Sequence, residues 1–244
     1  MNTDQTLKMM RTLSLNGMAD RYEVLLNISS KEGHPDGHTL LAMLLDAEQS
    51  SRKRKKTELI IQQAQLRYKI AASEISCSAA RGLSAEQWLY LCECKFVEEA
   101  VNVIILGPTG VGKSAVACAL ARQACTLGIK TLYFSTNKLI EEVANAKLKG
   151  TYLKFLNKLA KMPLLIMDDF GLKALDTDSR LALYEILEDR VGKGAIIVTS
   201  QYPVTKWYEK LGDPTLAEAI LDRMAGRAEK INLSGDSRRK KQLE

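Results

Sequence analysis

The segment GPTGVGKS, from Gly107 to Ser114, constrains the fold of this chain more than any other part of the sequence. It matches the phosphate-binding pattern G-x-x-x-x-G-K-[ST] in full, and it lies between an apolar run, NVIIL, and a helix-forming run, KSAVACALARQAC. Its glycines allow the backbone to bend around a phosphate chain, and its amides and the N-terminus of the next helix favour an anion. The segment therefore predicts a strand, a nucleotide-binding loop and a helix, in that order.

Two side chains of this segment have predictable contacts with a nucleotide and its metal ion. Lys113 is expected to reach the β- and γ-phosphates, and the Ser114 hydroxyl is expected to bind Mg²⁺. ATP and Mg²⁺ are therefore the predicted cofactors. The residues expected to bind the nucleotide are Gly107, Pro108, Thr109, Gly110, Val111, Gly112, Lys113 and Ser114.

Two acidic residues follow a second apolar run, in the sequence LLIMDDF. The run brings Asp168 and Asp169 to the carboxyl end of a strand, where α/β sheets bind ligands. Asp168 is placed to hold Mg²⁺, directly or through water, and Asp169 to polarise the attacking water. A third apolar run, IIVTSQ, also ends in polar residues. If its strand neighbours the other two, one of these residues, Thr199, Ser200 or Gln201, is expected to face the γ-phosphate, with Gln201 preferred and Ser200 the alternative.

Strand-forming and helix-forming segments alternate along the second part of the chain. Continuous apolar strands between helices indicate a parallel sheet covered by helices on both faces. The first part has a helical pattern instead, and small residues around 70–85 mark the expected boundary. We therefore expect a small all-helical N-terminal domain, residues 1–75, and an α/β domain, residues 76–244.

Composition and sequence patterns limit the classes of protein to which the chain can belong. The formal charge of +6 is compatible with a nucleic-acid partner. The apolar runs are shorter than the roughly 18 to 20 residues that a membrane helix needs. The N-terminal sequence MNTDQTLKMMRTL has no signal-peptide core, so a cytoplasmic location is expected. A small-molecule kinase would need an acceptor site and a lid, and the sequence indicates neither.

Basic residues concentrate in RKRKK at 52–56 with nearby Arg67, in NAKLKGTYLKFLNK, and in the tail from Arg238 to Lys241. Such clusters without a recognition motif suit contacts with phosphates, and hence sequence-tolerant binding of DNA. Five consecutive helical residues turn through about 500°, so RKRKK forms a collar of charge and not a single stripe. The residues expected to contact DNA are Arg52, Lys53, Arg54, Lys55, Lys56, Arg67, Lys147, Lys149 and Lys154.

Two arginines near the end of the chain, Arg223 and Arg227 in LAEAILDRMAGRAEKI, are four residues apart and would share a helix face. An arginine on a distant edge can complete the ATP site of a neighbouring subunit as an arginine finger. Surface arginines in local ion pairs explain the same spacing equally well, so the spacing alone leaves both interpretations open.

The segments NVIILGPTGVGKS, LLIMDDFG, VTSQYPVTKWYEKLGDPTLAEAILDRMAGRAEKI and LSLNGMADRYEVLL together resemble the IstB family. These are the ATPase helper proteins of insertion-sequence transposition, and they are similar to DnaC helicase loaders. The resemblance covers nearly the whole chain. It implies an AAA+ domain of the initiator/loader type that binds ATP and Mg²⁺ and forms homo-oligomers. In these oligomers each ATP site is completed in trans by a neighbour's arginine, which corresponds here to Arg223.

The resemblance also implies a biological role. Members of the family bind duplex DNA with little sequence preference and direct a partner transposase to its target, and the helical N-terminal domain would serve DNA binding and oligomerisation. The alternative is a DnaC-like loader of a replicative helicase. A neighbouring transposase reading frame would distinguish the two.

The sequence departs from the AAA+ pattern in two places. Many AAA+ proteins have glutamate at the position of Asp169, and the shorter aspartate predicts slow basal hydrolysis that DNA or transposase would raise. The sequence given ends with NLSGDSRRKKQLE, so the C-terminal helical lid that usually carries sensor 2 is not expected. Arg238 is the candidate to take the place of that residue.

Overall fold

The computed structural model describes residues 2–27 and 35–238, and the chain divides into two compact units, 1–59 and 60–244. The basic residues at 239–241, predicted as part of the third cluster, lie outside the described residues. Within the described ranges, no helix combines the length and the apolar character needed to cross a membrane.

Three helices begin the chain: α1 (Thr3–Thr12), α2 (Asn16–Leu26) and α3 (Gly37–Gln63). Close packing inside the first unit explains Gly17, because a Cβ there would lie 2.5 Å from the Ala47 carbonyl oxygen. The buried Glu48 carboxylate accepts hydrogen bonds from the Gly17 and Met18 amides at 2.7 and 3.2 Å. Glu48 therefore fixes the start of α2 on α3.

The second unit is built on one parallel sheet of five strands in the order β2-β3-β4-β1-β5. This confirms the predicted fold class. The strands are β1 (Asn102–Leu106), β2 (Thr131–Ser135), β3 (Leu164–Phe170), β4 (Ala195–Ser200) and β5 (Ala228–Asn232). The helices of this unit are α4 (Ala85–Cys92), α5 (Lys95–Glu98), α6 (Lys113–Thr126), α7 (Thr136–Leu148), α8 (Tyr152–Ala160), α9 (Thr177–Glu188), α10 (Val204–Leu211) and α11 (Pro214–Ala225).

Successive residues of the central strands face two separate cores, one on each side of the sheet. Val103 and Ile105 of β1 belong to one cluster, whereas Ile104 belongs to the other, and all three are fully buried. This follows from the two-residue period of a strand. Burial of both faces is the reason why these strands are continuously apolar.

The sequence interpretation of the region after α11 was wrong. We expected Arg223 and Arg227 to share a helix face, but α11 ends at Ala225 and Arg227 lies in the turn before β5. In β5, only Ile231 is buried, so the strand lacks the apolar run that revealed β1, β3 and β4. An edge strand with one buried residue is not distinguishable by sequence from the end of an amphipathic helix.

The segment from Ile60 to Ile75 packs within the second unit. Ile60 and Ala64 are buried with Cys125 of α6, and Ile75 belongs to the core of the sheet. The Ala64 carbonyl accepts a hydrogen bond of 3.0 Å from the Tyr133 amide of β2, which is an edge strand. The chain beyond α3 thus pairs with the edge of the sheet before it reaches the nucleotide loop.

Candidate nucleotide-binding site

Residues 107–112 of GPTGVGKS form a loop between β1 and α6, and its last two residues, Lys113 and Ser114, begin α6, as the sequence predicts. Two of its glycines meet the segment after β5. A Cβ at Gly107 would lie 2.3 Å from the Leu233 carbonyl oxygen, and one at Gly110 would lie 2.2 Å from Ser237 Oγ. Both glycines also have positive φ, 147° and 89°, which disfavours a side chain. The loop therefore depends on glycine for both space and conformation.

The side chain of Lys113 is buried and extends back over the loop. Its Nζ donates hydrogen bonds to the carbonyl oxygens of Gly107 and Pro108 at 2.8 and 2.9 Å. Lys113 is also the first residue of α6, whose amides and dipole favour an anion at this point. The ammonium and the helix N-terminus thus converge on the volume enclosed by the loop, and this geometry fits a polyphosphate.

Ser114 and Asp168, 54 residues apart in the sequence, meet beside the loop. Ser114 Oγ donates to Asp168 Oδ1 at 2.8 Å, and the Thr199 hydroxyl donates to the same oxygen. Tyr133 donates to the other oxygen, Oδ2, at 2.6 Å. Asp168 is fully buried. A hydroxyl beside a buried carboxylate is the kind of oxygen ligand set that Mg²⁺ takes near a nucleotide, so the residues fit this ion.

Asp169 sits at an irregularity in β3, where pairing with β4 shifts register between Met167 and Phe170. Its φ is +59°, a left-handed conformation that costs a non-glycine residue about 1 kcal/mol or more. Its amide donates to Thr199 Oγ1 at 2.9 Å. The bulge turns the second carboxylate toward solvent, where its side chain is 28% exposed. Strain held at this position is typical of a functional residue.

Thr199, one of the three polar residues expected at the end of this strand, contacts both acids, a role that the sequence did not predict. It donates to Asp168 and accepts from the Asp169 amide. The available signal was a threonine directly after the apolar run of β4, where a buried hydroxyl needs a partner.

The two candidates for the residue facing the γ-phosphate lie in different surroundings. Gln201 follows β4, and its Oε1 accepts a hydrogen bond of 2.7 Å from Thr109 of the phosphate loop. Ser200 is buried and bonded to the core: its hydroxyl donates to the Phe170 carbonyl at 2.8 Å and accepts from Trp207 Nε1 at 3.1 Å. Of the two, Gln201 is therefore the residue in contact with the loop.

A cavity of about 500 Å³ adjoins the loop. Tyr68, Ile70 and Ile75 give it an apolar wall that suits a nucleotide base, and Arg238 also lines it. The Arg238 amide donates to the Gly110 carbonyl at 3.0 Å. The sequence did not predict the apolar wall, because residues 68–75 carry no nucleotide-binding motif.

Arg67, predicted to contact DNA, lies in this site. Its Nη1 is 3.4 Å from Asp168 Oδ2 and 3.3 Å from Asp169 Oδ2. The residue was grouped with RKRKK by proximity in sequence, and a linear charge cluster contains no information about partners a hundred residues away.

Arg223 lies outside the phosphate site of its own chain. It is paired with Glu188, and its guanidinium carbon is 4.8 Å from the centre of the Tyr184 ring. The hydrogen bond to Glu188 raises the pKa of Arg223. The Arg223 carbonyl accepts from Asn102 at the start of β1, whereas the phosphate loop follows the end of that strand, roughly 13 Å away.

The remaining residues predicted to bind DNA are exposed. Lys147, Lys149 and Lys154 lie around the junction of α7 and α8. The segment RKRKK lies within α3, where Arg52 pairs with Glu48 at 2.7 Å and Arg54 with Glu58 at 3.8 Å. The two arginines of this segment thus have acidic partners in their own helix.

Comparison with known proteins identifies close relatives. The family model of the IstB-like ATP binding proteins matches residues 8–244. A Sinorhizobium fredii protein named as the insertion sequence ATP-binding protein y4pL is 38% identical over 97% of this chain and 96% of its own length. A Pseudomonas aeruginosa protein named as the ATP-binding protein of insertion sequence IS21 is 30% identical over 94% of this chain and 86% of its own length.

Solved structures share the fold at low sequence identity. The crystal structure of the DnaC helicase loader has a TM-score of 0.54 and 22% identity, and covers 68% of this chain and 98% of the loader chain. AMPPCP-bound DnaA from Aquifex aeolicus has a TM-score of 0.59 and 18% identity, and covers 73% of this chain and 56% of that chain. These likenesses show that the chain shares the α/β fold of these proteins.

Proposed function

The chain belongs to the family of IstB-like ATP binding proteins, and from this premise we propose that it is an ATPase which assembles on duplex DNA and recruits a partner transposase during transposition. The observation that carries the ATPase chemistry is the contact of Ser114 with Asp168 beside the Lys113 loop. The names of its relatives, which are ATP-binding proteins of insertion sequences, support the transposition role.

In this proposal, each residue of the site has a defined task. Lys113 would neutralise charge on the β- and γ-phosphates, and Ser114 and Asp168 would hold Mg²⁺, which would supply positive charge to polarise the phosphates. Asp169 orients the attacking water as general base. Gln201, already in contact with the loop, faces the γ-phosphate.

The position of Arg223 supports a homo-oligomer with shared ATP sites. An arginine roughly a strand length from its own phosphate loop is too far to stabilise the charge that develops there, but it is available to a neighbouring copy. We propose that Arg223 is this arginine finger in trans. Its pair with Glu188 holds it in place until a neighbour docks.

The basic segments provide the proposed contacts with DNA. The helical N-terminal domain supplies RKRKK, which lies within the unit 1–59, and takes part in oligomerisation, and the α7–α8 junction supplies three exposed lysines. Such contacts are made with phosphates and tolerate any sequence. Several subunits on one duplex would multiply their affinities.

Neutralising the basic segment tests the DNA contact. Lys53, Lys55 and Lys56 are replaced together by glutamine. We expect the slope of log K for DNA binding against log salt concentration to become shallower by about 2 to 3. Arg52→Gln with Arg54→Gln is the control and should reduce the slope by less than about 1.8, the value for two unpaired cations, because these arginines already pair with Glu48 and Glu58. ATP binding should remain unchanged in both. If the wild type does not bind duplex DNA with ATP present, the proposed function fails.

The acid at position 169 predicts slow basal turnover. A shortened, strained general base would orient water poorly, so we expect hydrolysis by the isolated protein to rise about tenfold or more on addition of duplex DNA or transposase. Phosphate release over time, with and without a duplex of random sequence, measures the effect. Fast turnover that is independent of DNA would contradict the prediction.

The similarity in fold to the DnaC helicase loader supports a second candidate function, the loading of a replicative helicase. Pull-down experiments with ATP and duplex DNA, using either a transposase or a helicase as bait, distinguish the two. Retention of the transposase alone supports the transposition role, and retention of the helicase alone supports the loader.

A further inference from the structure

The acid pair of the proposed ATP site, Asp168 and Asp169, contacts an arginine of the same chain. The Arg67 guanidinium lies between Asp168 Oδ2 and Asp169 Oδ2, at 3.4 and 3.3 Å. The other oxygen of Asp168 already accepts from Ser114 and Thr199. Arg67 thus contacts both carboxylates to which the proposed mechanism assigns the metal and the attacking water.

Backbone contacts on both sides hold Arg67 in this place. Before it, the Ala64 carbonyl accepts from the β2 backbone at 3.0 Å, and Gln65 turns the chain with a φ of +53°. After it, the Lys69 carbonyl accepts from Arg122 of α6 at 2.9 Å. Tyr133, whose amide pairs with Ala64, also donates its hydroxyl to Asp168. A segment anchored at both ends directs this side chain into the site.

A guanidinium at this distance opposes a second cation. It neutralises part of the charge that attracts Mg²⁺, and it repels the ion directly, with an effect that partial exposure to water weakens but does not remove. It also occupies the Asp169 oxygen that would orient water. The acid pair can therefore hold either the Arg67 guanidinium or a productive arrangement of metal and water, but not both at once.

We propose that Arg67 is a positioning residue that competes with Mg²⁺ for the acid pair and holds Asp169 away from the attacking water. The inference rests on the proposed ATPase mechanism and concerns its regulation. Helix α3, which carries RKRKK, ends at Gln63, four residues before Arg67 along the chain. Binding of DNA by α3 is therefore the event expected to draw Arg67 away from the acids.

Titration of Mg²⁺ tests the competition without reference to turnover. The full-length chain is mixed with a fluorescent ATP analogue, mant-ATP, and the magnesium concentration that gives half-maximal binding is measured. For Arg67→Gln and Arg67→Ala we expect this concentration to fall about three- to tenfold, with binding in EDTA unchanged. Arg67→Lys keeps the charge and should stay closer to the wild type. Arg122→Gln keeps the Arg67 charge but removes the anchor at the Lys69 carbonyl, so it should lower this concentration by less than the Arg67 substitutions do.

Turnover supplies the second measurement. Arg67→Gln should raise basal hydrolysis and reduce the stimulation by duplex DNA, because the inhibitory contact is already absent. A magnesium requirement that is unchanged or higher in both Arg67→Gln and Arg67→Ala would overturn the role of Arg67. Failure of the wild type to bind mant-ATP at saturating Mg²⁺ would instead refute the ATP site itself, so the two failures are distinguishable.

Discussion

Replacing Lys113 with alanine is expected to lower the affinity for ATP by about a hundredfold and to abolish hydrolysis. The ammonium is the buried cation of the phosphate loop, held over it by two carbonyl oxygens, and charge-assisted contacts of this kind contribute roughly 1.5 to 3 kcal/mol each. Binding of mant-ATP measures the affinity. Lys130→Ala, an exposed lysine before β2, is the control and should bind normally.

The same variant tests whether ATP holds the oligomer together. Because each proposed site is shared between two subunits, loss of the nucleotide should also prevent assembly on duplex DNA, as seen by sedimentation. If Lys113→Ala still assembles on DNA while mant-ATP binding is lost, nucleotide is not what joins the subunits, and only the ATP-binding half of the prediction stands.

Replacing Arg223 with alanine is expected to leave ATP binding intact but to reduce hydrolysis by about a thousandfold, the lower end of the effect of an arginine finger. The side chain is far from its own phosphate loop, so a large loss requires that it act on another subunit. Arg227→Ala is the matched control, because Arg227 lies beyond α11 and outside the Glu188 and Tyr184 contacts described for Arg223.

Mixing two inactive variants separates action in trans from action in cis. Lys113→Ala retains the finger, and Arg223→Ala retains the nucleotide loop, so a mixed interface contains one complete site. We expect part of the activity to return when Arg223→Ala is combined with increasing amounts of Lys113→Ala. No recovery at any ratio, with mixed oligomers present, would mean that Arg223 does not act in trans.

Local patterns predicted most of the fold. The apolar runs identified β1, β3 and β4, and their continuity indicated a parallel sheet because both faces are buried. The pattern did not reveal β5, whose single buried residue, Ile231, gives no such run. This short edge strand is held by backbone hydrogen bonds to β1 and not by a row of apolar side chains. Such backbone pairing leaves no pattern in the sequence.

For the site, the sequence predicted the residues whose chemistry follows from a motif and missed those placed by folding. Lys113 and Ser114 were identifiable from the phosphate-loop motif, and Asp168 from its place at the end of an apolar strand. The contacts of Thr199 and Arg67 with the acids were not predictable, because they join residues 30 to 102 positions apart in the sequence. The side chain of Arg67 was assigned to DNA by its neighbours in the chain.

The hydrogen bond between Ala64 and Tyr133 sets a limit on how the chain can be divided. β2 is an edge strand, and Ala64 covers one of its backbone N–H groups. A fragment that starts at residue 76, where the composition changes, would uncover this edge and also remove Ile60 and Ala64 from Cys125. An uncovered strand edge is a template for aggregation. Dissection of this protein should therefore keep residues 60–75 attached to the sheet.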